Sequence, residues 1–178
     1  RLACRDAGRA SWGMRASTLT TDDLDEARTI LYRHFYSNFV DVLSPAATLR
    51  ARFAVTPPEA VTVGDMSFGT DVRIRFGELG AYHVDVPLSG RLSWRQGGSP
   101  GRVATPTEAA VFQPVGDTTL DHWAGDCRLL AVKIDKSLLE EQLSRLIDGP
   151  VHTPIRLGPT LDIGGGAGRS WLRLLRMI

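Results

Sequence analysis

Hydrophobic residues recur along this chain with two different spacings, and the changes of spacing divide it into three parts. Over residues 20–35 the apolar side chains return every third or fourth position, the spacing of a helix with one buried face. Acidic residues fill the first turn, where negative charge opposes the helix dipole. The pattern predicts an N-terminal helix whose buried stripe is Leu24, Ala27, Leu31 and Phe35.

After this helix the spacing becomes two, which is typical of strands that bury one face. In the stretch AYHVDVP, Tyr82, Val84 and Val86 are expected to face the core, and His83 and Asp85 to form the polar side. Turn sequences such as SG and GGSPG separate such stretches at hairpin spacing. About eight or nine short strands are predicted, which indicates an antiparallel sandwich or barrel.

Helical spacing returns near the C-terminus, so the predicted fold class is mainly β (α+β) with one helix before the barrel and two after it. The first of the two covers residues 137–147. The second begins near Arg169 and carries an apolar stripe of Trp171, Leu174, Leu175 and Ile178. Between them, the glycine-rich stretch GPTLDIGGGAG over residues 158–168 is predicted to be a flexible joint.

Both ends of the chain suggest a piece of a longer protein. The terminal helix has no capping residue, so either it docks and frays or the chain continues beyond it. Residue 1 is arginine and not methionine. Residues 1–17 show no hydrophobic period and are interpreted as a flexible leader.

Composition excludes several classes of protein. A length of 178 residues with 43% hydrophobic residues fits one globular domain. A net charge of +1 does not favour a nucleic-acid-binding surface. The sequence shows neither a membrane-spanning run nor a secretion signal, so a cytoplasmic location is expected. The two cysteines, Cys4 and Cys127, lie far apart, and a disulfide between them is not expected.

Three residues could in principle bind a metal ion: His83, Asp85 and His122. Histidines and carboxylates on neighbouring strands are common metal ligands. However, His83 and Asp85 also fit the polar side of an ordinary strand, and we expect no metal and no cofactor. No nucleophile motif such as G-x-S-x-G occurs, and the glycine run lacks the lysine of a phosphate-binding loop.

Four aromatic residues of the predicted strands form the remaining candidate site: Tyr82, Trp94, Phe112 and Trp123. Trp94 shares its phase with Leu92 and is expected to point inward. Barrel interiors are either filled by side chains or hold one small ligand. These residues are therefore either plain core or the wall of a ligand pocket.

Several stretches together resemble the N-terminal domain of AraC/XylS-type transcriptional regulators. They are AYHVDVPLSGRLSWRQGG, TPTEAAVFQPVGDTTLDHWAGDCRLLAVKIDKSLLEEQL and GRSWLRLLRMI, and the resemblance covers about residues 18–178. The most specific features are the turn VPLSG at 86–90 and the turn PVG at 114–116. The resemblance implies a cupin-like jelly-roll sensor domain.

The resemblance also implies a division of the chain and a function. Residues 18–134 would form the helix and the sensor barrel, and residues 135–178 the helices that lead to a helix-turn-helix DNA-binding domain absent from this chain. The domain would bind a small-molecule effector and belong to a bacterial transcription factor. It would contact DNA only through the absent domain and would not be an enzyme.

The resemblance further implies a homodimer formed through the helices after the barrel. The leucine stripe of the first of these helices is the candidate interface: Leu138, Leu139, Leu143 and Leu146. The alternative function is a metal-dependent cupin enzyme, an oxygenase or isomerase. Against it, the position where metal cupins carry a further histidine after the P-x-G turn is Thr119 here.

Overall fold

The computed structural model describes residues 17–36, 39–44, 48–151 and 155–175, and in it antiparallel strands form two facing sheets. The larger sheet has the order β1-β3-β4-β11-β6-β9-β12. Its strands are β1 (Ser17–Thr21), β3 (Ala51–Val55), β4 (Val61–Ser67), β6 (Ala81–Pro87), β9 (Glu108–Phe112), β11 (Leu129–Asp135) and β12 (Thr160–Asp162). The smaller sheet, in the order β2-β5-β10-β7-β8, contains β2 (Phe39–Val42), β5 (Val72–Phe76), β7 (Leu92–Gln96), β8 (Arg102–Ala104) and β10 (Thr118–Trp123).

The predicted N-terminal helix is confirmed as α1 (Leu24–Phe35). The side chain of Asp23 caps it by accepting hydrogen bonds from the backbone N–H groups of Asp25 and Glu26. The helix ends at Tyr36, which adopts the left-handed conformation with φ 59°. Its apolar stripe is buried against the strands, so α1 closes part of the space between the sheets.

Two separate hydrophobic cores form, one on each face of the larger sheet. The inner core lies between the two sheets and contains Phe53, Leu120 and Trp123 among others. The outer core lies between the larger sheet and α3 (Gly166–Leu175), and it contains Val84, Val132 and Leu175. Because both faces of the larger sheet are covered, every residue of β6 is buried.

This double coverage reverses the predicted orientation of β6. Residues paired across antiparallel strands lie on the same face. His83 pairs with Phe112 of the inner core, whereas Val84 pairs with Val111 of the outer core. His83 and Asp85 therefore face the barrel interior, and Tyr82, Val84 and Val86 face the outer core. The prediction was wrong because alternation identifies two faces and does not tell which one water reaches.

The segment predicted as a flexible joint is also ordered, and this prediction was wrong. It contains β12, which pairs with β9, and α3 begins at Gly166. A side chain at Gly168 would place its Cβ in collision with the carbonyl oxygen of Asp162. The glycines thus allow α3 to approach β12 closely.

The two C-terminal helices differ in burial. Helix α2 (Lys136–Leu146) has no fully buried residue. In α3, Leu175 is buried and Leu174 is exposed, so the predicted apolar stripe only partly coincides with the buried face. Ile178 and residues 1–16 lie outside the described residues. None of the helices in the described ranges is long and apolar enough to cross a membrane.

Candidate functional site

The barrel interior contains polar atoms that have no hydrogen-bond partner among the described residues. These atoms are Nε2 of His83, Oδ1 of Asp85 and Nε1 of Trp94. His83 is 5% exposed, Asp85 6% and Trp94 2%. An unsatisfied buried polar group costs about 1–3 kcal/mol, so such a group in a folded domain indicates a functional role or an unseen partner.

The strand pairing defines how these groups are placed. His83 lies between Phe112 of β9 and Lys133 of β11 on the inner face of the larger sheet. Asp85 lies in the next inward row, between Ala110 and Ala131. The small alanine side chains leave the carboxyl group of Asp85 without polar neighbours in its own row.

Burial changes the protonation of both polar residues. It raises the pKa of Asp85 to about 7, because a carboxylate loses hydration in the core. Burial, together with the positive charge of Lys133, lowers the pKa of His83 to about 3. At neutral pH the imidazole of His83 is therefore uncharged, and the carboxyl group of Asp85 lies near its titration point.

The aromatic candidates divide between the two cores. The rings of Trp94 and Phe112 meet edge to face with centroids 4.7 Å apart, and Trp94 points inward as predicted. Trp123 also points inward, but its indole N–H donates to the carbonyl oxygen of Cys127 at 2.9 Å. Tyr82 lies on the outer face, and its hydroxyl donates to the carbonyl oxygen of Ile155 at 3.0 Å.

Tyr82 therefore does not share a pocket with the other three aromatic residues, which corrects the grouping of all four in one barrel wall. It lines instead a cavity of about 420 Å³ between the outer face, α2 and α3. Val84, Leu139 and Trp171 form other parts of the wall of this cavity. The reason is again the double coverage of β6, which buries the tyrosine outside the barrel.

The three candidate metal ligands do not come together. His122 of β10 places its Nε2 3.2 Å from Oδ2 of Asp71, and both side chains are partly exposed. His83 and Asp85 face the interior. Within the described residues no three His, Cys, Asp or Glu side chains are arranged to hold a metal ion.

The thiol of Cys127 is unreactive at neutral pH. Its burial and, to a smaller extent, the negative charges of Asp126 and Asp85 raise its pKa to about 12.

The leucines of α2 are placed in different surroundings. Leu139 lines the outer cavity, and Leu143 lines a cleft against the turn at Pro114 and Val115. Leu138 is partly buried. Leu146 is 83% exposed, and the adjacent Ile147 is also exposed. Only the C-terminal end of α2 thus presents apolar side chains to solvent.

Sequence reasoning missed two basic residues: Lys133, which is buried, and His34 of α1, which is partly buried. Lys133 is 5% exposed, and its Nζ lies 4.0 Å from the centroid of the Tyr36 ring. Nδ1 of His34 is buried without a described partner. One signal was present in the sequence. Lys133 is a charged residue within the otherwise apolar strand LLAVKI, and the apolar residues around it give no reason to place it in solvent.

Comparison with known proteins gives consistent results at three levels. The family model of the AraC-binding-like domain matches residues 27–178. A probable thc operon regulatory protein from Rhodococcus erythropolis is 36% identical over 166 residues, which cover 92% of this chain and 50% of that protein. The chain therefore spans about half the length of this relative.

Among solved structures, similarity is found at the level of the fold. The AraC-like transcriptional activator CuxR superposes with a TM-score of 0.53 at 13% identity, covering 74% of this chain and 52% of that one. A cupin-like protein from Thermotoga maritima gives a TM-score of 0.41 at 13% identity, over 73% of this chain and 91% of that one. The predicted mainly β fold of facing antiparallel sheets is confirmed, and the chain belongs to the AraC-binding-like family, the sensor domains of AraC-type transcriptional regulators.

Proposed function

We propose that this domain binds a small-molecule effector inside its barrel and thereby controls a DNA-binding domain that lies outside this chain. The observation that carries the proposal is the set of unpartnered polar atoms on facing walls of the interior: His83 and Asp85 on the larger sheet and Trp94 on the smaller one. A ligand that bonds to these atoms would offset the cost of burying them. Such a ligand would bind one state of the domain in preference to another.

The ligand-contacting residues in this proposal are Trp94 and Phe112 with His83 and Asp85. Trp123 lines the same core but its indole N–H is already bonded to Cys127. Tyr82 lies on the outer face, where its hydroxyl bonds to the carbonyl oxygen of Ile155 and so connects the chain after α2 to the sheet. The domain acts in this proposal as a sensor and not as an enzyme.

The experiment is a screen of small molecules for thermal stabilisation, followed by NMR of the tryptophan indole N–H signals. A ligand at a hundredfold its Kd adds about 2.7 kcal/mol to stability. We expect a stabilising compound to shift the Trp94 indole signal, because that N–H gains an acceptor. The Trp123 indole signal is the internal control, since its N–H is already bonded.

Two results would contradict the proposal. One is a screen in which no compound stabilises the domain. The other is a stabilising compound that leaves the Trp94 indole signal unchanged and shifts instead that of Trp171, because it would then occupy the outer cavity.

Self-association through α2 is a second part of the proposal. The observation that supports it is the exposed apolar end of the helix at Leu146 and Ile147. Exposed apolar surface on a folded domain often marks an interface. Leu139 and Leu143 face the protein's own cavities, so in this proposal they brace α2, while Leu146 contacts the second copy.

A further inference from the structure

Lys133 is a buried basic side chain on the inner face of the larger sheet. The side chain projects from the inner face of β11 opposite His83. No Asp or Glu among the described residues forms an ion pair with it. Its described neighbour is the Tyr36 ring, 4.0 Å from Nζ, at the end of α1. Buried lysines are rare unless they are paired.

Two histidines flank the same end of the barrel. The ring of Phe35 lies 6.3 Å from the ring of His83 and 6.5 Å from that of His34, measured between centroids. Nε2 of His83 and Nδ1 of His34 are both buried without a described partner. Burial lowers the pKa of each histidine, and the charge of Lys133 lowers both further. Lys133 and His83 thus lie near the last turn of α1, which itself carries the third basic side chain, His34.

The other charged and titratable groups near this cluster do not neutralise it. Arg33 on α1 adds positive charge and contributes to the lowered pKa of His34. Asp85 lies one inward row away on β6, and burial raises its pKa to about 7, so near neutral pH it is substantially protonated. The C-terminal end of α1 contributes only partial negative charge. The cluster therefore lacks a full negative charge.

We propose that Lys133 and His83, with His34 beside them, form an anion subsite, and that the effector is a small organic carboxylate. The carboxylate would pair with Lys133 and accept a hydrogen bond from Nε2 of His83. Its apolar part would lie against the rings of Phe112 and Trp94. This inference rests on the proposed function, since it names the chemistry of the ligand in the barrel.

The charge balance favours a monocarboxylate over a phosphate group. One ammonium balances one negative charge, whereas a phosphate monoester carries about 1.5 to 2 charges at neutral pH. Both imidazoles are neutral at that pH, so they supply hydrogen bonds and no further charge. The position of Phe112 next to His83 in the strand pairing places an aromatic surface directly beside the anion.

The chain offers a matched pair for the test, because Lys133 and Lys136 are its only two lysines. Lys136 begins α2 and lies 3.9 Å from Glu140, with 44% of its side chain exposed. The probes are 3-phenylpropanoate and its neutral amide, 3-phenylpropanamide, which have nearly the same shape. Calorimetry measures the binding of each probe to the unmodified domain, to Lys133→Gln and to Lys136→Gln.

We expect the carboxylate to bind at least about tenfold more tightly than the amide, a difference of about 1.4 kcal/mol. Lys133→Gln should abolish this preference, and Lys136→Gln should keep it. If Lys133→Gln does not fold, His83→Gln serves as the second variant and should reduce the preference.

Carboxylate binding should also strengthen from about pH 8 to about pH 6, because Asp85 loses its negative charge over that range.

Several outcomes would overturn the anion subsite. They are equal binding of the amide, an unchanged preference in Lys133→Gln, no binding of the carboxylate at millimolar concentration, and tighter binding of inorganic phosphate than of the carboxylate. The same measurements distinguish failure of the anion subsite from failure of the effector pocket. A neutral compound that shifts the Trp94 indole signal would keep the pocket and reject the carboxylate.

Discussion

The two faces of the larger sheet are both buried, but they differ in polarity. The outer face is apolar, and its side chains, such as Val84 and Val132, pack with Leu175 of the covering helix α3. The inner face carries His83, Asp85 and Lys133 among aromatic residues, and two of these three have buried atoms without a partner. Burial alone therefore does not identify a structural core: the inner face holds buried polar groups without described partners, and apolar side chains there would avoid their energetic cost.

The largest effect is expected where the outer layer contacts the sheet most closely. Gly168→Val should lower the free energy of unfolding by about 3 kcal/mol or more, because its Cβ would collide with the carbonyl oxygen of Asp162. Urea denaturation measures this change. The matched control is Gly166→Val, where a Cβ meets no atom within 4 Å. Equal destabilisation by both variants would show that α3 does not depend on close contact at Gly168.

Neighbouring residues of β6 allow the two faces to be compared directly. Val84→Ala removes apolar contacts from the outer core and should lower the free energy of unfolding by about 1–3 kcal/mol. Asp85→Asn removes a buried charge from the inner face and should raise the free energy of unfolding at about pH 8. Both are measured by urea denaturation. A loss of stability in Asp85→Asn equal to that of Val84→Ala would mean that the carboxylate has a partner.

The residues of the inner face should also give the free energy of unfolding two opposed pH dependences. Asp85 has a raised pKa of about 7 in the folded state, so its contribution to stability is lost as pH rises toward about 7. His83 has a lowered pKa of about 3, so the folded state is destabilised as pH falls below the ordinary value of 6.5. Between about pH 4 and pH 6.5 the two slopes oppose each other.

Single variants should therefore separate these slopes. Relative to the unmodified domain, Asp85→Asn should become more stable as pH rises through this window, and His83→Gln less stable, each by up to about 1.4 kcal/mol per pH unit. Urea denaturation at several pH values gives the difference curves. Parallel curves for both variants would reject the burial of these groups. Val84→Ala, which removes no titratable group, is the control with a flat difference curve.

The smallest effect on stability is expected at the exposed end of α2. Leu146→Asp should change the free energy of unfolding by less than about 0.5 kcal/mol, because the side chain is already in solvent. If α2 mediates self-association, the same change should convert a dimer to a folded monomer in light scattering. Leu139→Asp is the contrasting variant and should destabilise the fold, since Leu139 lines the outer cavity. An unmodified domain that is monomeric at high concentration would reject the interface.

Much of the architecture could be predicted from local patterns. The stripe of α1, the alternation that marks β3, β5 and β7, and the inward direction of Trp94 were all visible in the order of residues. Four short strands were missed: β1, β2, β8 and β12. Strands of three to five residues at sheet edges carry too few apolar positions for a period to be recognised.

The candidate site was less predictable, because its location depends on which layers of the fold cover each face of the sheet. Alternation along AYHVDVP separates His83 and Asp85 from Tyr82, Val84 and Val86, and that separation is correct. Which set faces the barrel depends on whether something covers the other face. Helix α3 does so, more than eighty positions later in the chain, through an approach that Gly168 permits.

By itself, the order of residues determined the family, the mainly β fold class and the faces of each strand, because these depend on local periodicity and on motifs along the chain. Only the tertiary structure decided that the polar face of β6 lies inside. It also decided that Lys133 lies beside His83 there, with the partly buried His34 on the last turn of α1, and that His122 pairs instead with Asp71. The physical reason is that a side chain's charge and hydration depend on what covers it, and that cover comes from distant parts of the chain.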